Sequence, residues 1–125
     1  MNYIVFDLEW NQSPNGHAGE HPALPFEIIE IGAIRLNENY EITGEFRRLI
    51  KPKIYTRIHK YIRDILNYDE KVLRNEGVSF KEACSVFLEW CEEDSDDGYA
   101  FCTWGSSDLH TLLSGLYKAR TDSCS

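Results

Sequence analysis

"IVFDLEWN", residues 4–11, sets two carboxylates, Asp7 and Glu9, into an otherwise apolar run. Its β-branched and aromatic residues predict a strand over residues 3–9, and a strand alternates its side chains between two faces. Asp7 and Glu9 therefore share a face, about 6.6 Å apart along the backbone. Two converging anions on a strand that the pattern predicts to be buried repel each other, and loss of water raises the cost. Such a pair persists where protons, cations or bulk water are at hand. A divalent metal is the economical answer: oxygen ligands suit Mg²⁺ or Mn²⁺, hard cations that keep open water positions and meet phosphates readily. Taken alone, the pair also fits a solvated strand end.

Outward from this strand, residues 10–26 contain Pro14, Asn15, Gly16, Pro22 and Pro25 and read as a loop. "EIIEIGAIRL" (27–36) is a second strand, residues 37–40 a turn, and "TGEFRRLIKP" (43–52) a third strand ended by Pro52. Short connections between them predict an antiparallel meander. Helices are expected over 56–66 and 69–75. The clearest helix is "SFKEACSVFLEWCEE" (79–93), where Ser79 caps, Glu82 completes a capping box, and Ala83, Phe87 and Cys91 fall on the apolar face with Phe80, Cys84 and Leu88. The acidic run 92–97 reads as a solvated loop, "YAFCTW" (99–104) as a buried fourth strand, and 107–118 as a helix. The class is α/β, with the late strand joining the sheet parallel to the first. Asp108 would then lie near the same strand ends as Asp7 and Glu9, although a first-turn acid is also favoured by the helix dipole alone.

A length of 125 residues with 42% hydrophobic residues predicts a single domain. The net charge of −8 argues against gripping nucleic acid by bulk electrostatics. Yet seven of the thirteen basic residues (Arg47, Arg48, Lys51, Lys53, Arg57, Lys60, Arg63) fall within 47–63, with no acid among them. That stretch is either an ordinary solvated one or a patch facing a polyanion. Cys84, Cys91, Cys102 and Cys124 are spaced too widely for a CxxC motif, and Cys84 and Cys91, two helical turns apart, are expected to pack as small hydrophobes. His17 and His21 read as solvated loop residues. His110 points about 200° around a helix from Asp108 and is not expected to act as a base. No run approaches the roughly 18 apolar residues of a membrane span, and the N-terminus lacks a signal-peptide pattern. A cytoplasmic protein with no membrane partner is the expectation.

"FDLEWN", "FEIIEIGAIRL" and "CTWGSSDLHTL", in this order, resemble the DEDD superfamily of 3′-to-5′ exonucleases. The likeness is greatest to the histidine-bearing (DEDDh) branch, which includes the histone-mRNA and interfering-RNA exonucleases and bacterial sporulation-associated relatives, and it covers nearly all of residues 3–113. The resemblance implies a ribonuclease H-like mixed sheet in the order 3-2-1-4-5. It also implies that Asp7, Glu9 and Asp108 are catalytic carboxylates holding two ions, Mg²⁺ or Mn²⁺. Ions about 4 Å apart stabilise the attacking and leaving oxygens of an in-line displacement, here at a 3′-terminal phosphodiester. Leu8 and Trp10 sit where the superfamily places residues against the terminal nucleotide. Trp104 lies by the second motif, where an aromatic can stack on a base or equally fill the sheet-to-helix junction.

The superfamily's third motif, a histidine followed five residues later by an aspartate beyond a fifth strand, has no counterpart after Asp108. The expectation is therefore that 1–125 is a single, C-terminally truncated exonuclease domain with the sheet 3-2-1-4 and its fifth strand missing. Its two-metal site would be incomplete, its activity impaired, and its fourth-strand edge open to self-association. The expected partner is a single-stranded RNA or DNA 3′ end. An alternative is a non-catalytic nucleic-acid-binding or assembly module using 47–63. An aspartyl-phosphate phosphatase ranks last, because it usually needs a second Asp where this chain has Glu9.

Overall fold

The computed structural model describes residues 1–13 and 26–103. In chain order these form β1 (Asn2–Gln12), β2 (Phe26–Leu36), β3 (Ile42–Leu49), α1 (Lys60–Ile65), α2 (Glu70–Glu76), α3 (Phe80–Glu92) and β4 (Tyr99–Cys102). The sheet order is β3-β2-β1-β4, with β1–β2 and β2–β3 antiparallel and β1–β4 parallel. This is the expected mixed sheet. The expected helix 107–118 and most of the loop 10–26 lie outside the described residues.

Alternation along β1 divides the molecule. Ile4, Phe6 and Leu8 are buried with Ile31, Ala33, Phe46 and the α3 residues Ala83, Phe87 and Cys91. Helix α3 thus covers one face of the sheet, capped at its start by the Ser79 hydroxyl, which accepts from the Glu82 amide at 3.1 Å. Cys84 and Cys91 are buried on it as small apolar groups; burial pushes both thiols up to about 12. Arg35, only 4% exposed, donates to the Trp90 carbonyl at 2.7 Å, satisfying an end-of-helix acceptor. A second, smaller core of Ile29, Leu49, Ile58 and Leu73 lies on the opposite side, where α2 and the segment before α1 pack.

Several boundaries differ from expectation. Strand β1 runs to Gln12 rather than residue 9, because a bulge between Glu9 and Trp10 lets Asn11 and Gln12 go on pairing with Glu27 and Phe26. Strand β3 ends before Pro52: Ile50 turns into a parallel bridge with Val78. Helix α1 starts at Lys60 instead of 56, since the amides before it are taken by side chains. Glu27 accepts from Lys53, Ile54 and Tyr55 at 2.8–3.1 Å, and Glu70 accepts from Ile58 at 2.9 Å. Strand β4 stops at Cys102 and is half-buried rather than buried, being paired on one side only among the described residues.

Gly77 closes α2 against that bridge. A Cβ there would stand 2.3 Å from the Leu73 carbonyl oxygen and 2.7 Å from the Lys51 nitrogen, both backbone atoms that cannot rotate away. We expect Gly77→Ala to destabilise the fold by about 1–3 kcal/mol in urea unfolding, and wild-type stability in this variant would contradict the packing described.

Candidate active site

Because Ile4, Phe6 and Leu8 are held in the core, Asp7 and Glu9 stand on the other face, which α3 does not cover. Asp7 is exposed and Glu9 partly so. The expectation of a buried acidic pair is thereby corrected: the strand is central, but neither carboxylate is buried, so no full desolvation penalty opposes their charge. Leu8 is 4% exposed and its side chain points into the core, away from the acids, so any nucleotide contact it makes comes from its backbone. Trp10 is part-buried against the same core, tilted toward Phe26 with ring centroids 6.2 Å apart. Asp108 and Trp104 lie outside the described residues.

The register adds residues that composition did not single out. Glu9 faces Glu30 directly across the β1–β2 ladder, and Asp7 faces Gly32. Like charges placed so are mutually destabilising. Here the second one is neutralised: Arg47 on β3 pairs with Glu30 through Nε, and the Tyr68 hydroxyl donates to the other Glu30 oxygen at 3.0 Å. The bond to Glu30 and its charge hold the Arg47 guanidinium above its ordinary range. Burial, with the negative charges of Glu30 and Glu9 and the bond to Glu30, pushes the Tyr68 phenol upward too. Asp7, Glu9, Glu30, Gly32, Glu45 and Arg47 all line one open concavity of about 470 Å³. A signal for Glu30 was available, an acid inside the apolar run "EIIEIG", yet the bulge that turns Ile29 and Glu30 toward the same side is not written in the pattern.

At the far end of β1, Asn11 is fully buried. Its amide donates to the Arg57 carbonyl at 2.8 Å and its oxygen accepts from the His59 amide at 2.8 Å. The basic stretch is thus fastened two residues beyond Glu9.

The donor set of Asp7 and Glu9 is all oxygen, anionic and open to water, which fits a hard divalent cation. Among the described residues no three His, Cys, Asp or Glu side chains gather as a metal-holding group.

A family model for the RNase T exonucleases matches residues 4–123. The chain belongs to this exonuclease family. No curated protein sequence matches it. Among solved structures, the nuclease domain of 3′hExo, a DEDDh family member bound to rAMP, superimposes with a TM-score of 0.75 at 19% identity, over 96% of this chain and 60% of that one. A 3′-exonuclease structure described for 3′-end specific recognition of histone mRNA stem-loop gives 0.75 at 19%, over 95% and 41%. Exonuclease I of E. coli in complex with a dT13 oligonucleotide gives 0.70 at 14%, over 93% and 23%. These likenesses carry the ribonuclease H-like exonuclease fold, and the chain spans 60% or less of each of these structures.

Replacing Asn11 by Ala strands the Arg57 carbonyl and the His59 amide. We expect a loss of about 1–3 kcal/mol in denaturant unfolding and faster hydrogen exchange at the His59 amide; unchanged exchange there would show that the clamp is not needed.

Proposed function

We propose that this exonuclease-family domain acts as a metal-dependent 3′-to-5′ exonuclease on single-stranded RNA or DNA ends. The observation that carries the reading is the placement of Asp7 and Glu9, the first acidic motif, side by side on the open face of the central strand. Asp7 and Glu9, together with Asp108 from the second motif, would hold Mg²⁺ or Mn²⁺, which when bound supplies positive charge to the phosphoryl and leaving oxygens. The protein's own part is positional. The core side chains of β1 fix the two carboxylates on one face, while Gly32 keeps the position beside Asp7 clear of a side chain. Trp10 and the Leu8 backbone are the proposed neighbours of the terminal nucleotide, with Trp104 as a stacking surface. The nucleic acids of the similar structures, a histone mRNA stem-loop and dT13, support a polynucleotide as the substrate class.

A second reading, a non-catalytic nucleic-acid-binding module, draws on the exposed Lys51, Lys53, Arg57 and Lys60. RNA binding that is strongly salt-dependent and indifferent to divalent ions would select it. Self-association through the β4 edge and a cytoplasmic location are further proposals, the first open to sedimentation.

Calorimetric titration with Mn²⁺ tests the main reading. Weak binding by the wild type and none by Asp7→Asn is expected, with retained folding of the variant by circular dichroism. Equal heats from both proteins would remove Asp7 from the site.

A further inference from the structure

Arg47 is more than a counter-charge to Glu30. Its side chain is 62% exposed while that of Glu30 is 14% exposed, so the carboxylate is the enclosed partner and the guanidinium the presented one. Nε is committed to Glu30, whereas the two terminal nitrogens have no acceptor among the described residues. Tyr68 holds the other oxygen of Glu30 at 3.0 Å and lies with its ring centroid 5.8 Å from the Arg47 guanidinium carbon. The arginine is therefore gripped from two sides. An exposed Arg normally spends conformational entropy whenever it meets a ligand; a planar fork already fixed by an enclosed carboxylate and an aromatic ring loses less.

The location is equally specific. In the register, Asp7 faces Gly32 and Gly32 faces Arg47, a row of three across β1, β2 and β3 whose middle member has no side chain. At the usual strand spacing Arg47 stands about 10 Å from Asp7 across that gap. Both residues line the same open concavity. An anionic chain whose reacting phosphate lay at Asp7 and Glu9 could set a neighbouring phosphate within reach of a side chain as long as arginine. Glu30, Glu9 and Glu45 would repel that chain if unopposed, so a cation at this point has both an electrostatic need and donors to offer.

We propose that Arg47, positioned by Glu30 and Tyr68, contacts a backbone phosphate of single-stranded nucleic acid next to the Asp7–Glu9 site. The assignment rests on the functional reading above and adds a phosphate-binding residue to it, on β3, outside the acidic motifs.

Binding of a short fluorescein-labelled oligo(dT) to the 125-residue chain, followed by anisotropy with Ca²⁺ in place of Mg²⁺ or Mn²⁺ across a range of salt concentrations, tests it, since Ca²⁺ is a hard cation that takes the same oxygen ligands. Arg47→Gln is expected to raise Kd about fivefold at low salt and to reduce the slope of log K against log salt by about 0.7, the amount for one phosphate contact to a single strand. Arg47→Lys should restore the slope, since the charge is kept. Lys81→Gln, on the helix that covers the opposite sheet face, should leave both slope and Kd within error. A slope unchanged in Arg47→Gln, or an equal loss in Lys81→Gln, overturns the proposal while leaving the nuclease reading in place. A wild-type chain that binds no oligonucleotide overturns both.

Discussion

Everything at the candidate site depends on the two-residue alternation of β1. Ile4, Phe6 and Leu8 are gripped by α3 and by the inner faces of the neighbouring strands, and that grip leaves Asp7 and Glu9 a single place to go. A slip of one residue would exchange the two sets, sending two carboxylates into an apolar core at a cost of several kcal/mol per charge. The hydrophobic core is thus also what holds the site in register. The same alternation sets Trp10 against the core, while the bulge after Glu9, whose extra residue is Ile29 on β2, lets the ladder continue to Gln12.

From Asn11 onward, side chains replace regular secondary structure. Residues 53–59 have no ladder or helix to satisfy their amides, and Glu27, Asn11 and Glu70 supply the missing acceptors. Each of these three is anchored in a regular element or, for Asn11, in the strand that bears the acids. The irregular part of the basic stretch is therefore fixed relative to Asp7 and Glu9, which an unsupported loop could not be. On the other flank, the Arg47–Glu30–Tyr68 cluster solves a separate problem, the facing of Glu9 by a second carboxylate, and solves it by setting a cation on the open face.

Much of the fold was legible in the chain. The apolar runs at 4–8, 28–34 and 99–102 and the capped helix after Ser79 carry periodicities that only one kind of element satisfies, and the meander followed by a late parallel strand follows from their order. The Asp7–Glu9 pair was legible as an anomaly within such a run, and three motifs carried the family. Its environment was not. Periodicity cannot separate a strand buried on both faces from one with an open face, so the acids read as buried. It is also blind to register, hence to the facing of Glu9 and Glu30 in the regular ladder, and the roles of Asn11 and Tyr68 depend on partners 38–48 residues away in the chain. Arg47 stood out as a member of a basic stretch, but its separation from the rest of that stretch, on a strand and beside the acids, is a matter of register.

We propose that Asp7 and Glu9 form an open-faced cation site on the middle strand. Amide NMR spectra recorded during addition of substoichiometric Mn²⁺ test it most directly, since the ion broadens resonances near itself. Selective loss of signal is expected at residues 7–9 and at their cross-strand neighbours Glu30 and Gly32. Broadening centred on the exposed acidic segment Glu92–Asp97 instead, with the β1 resonances intact, would contradict it.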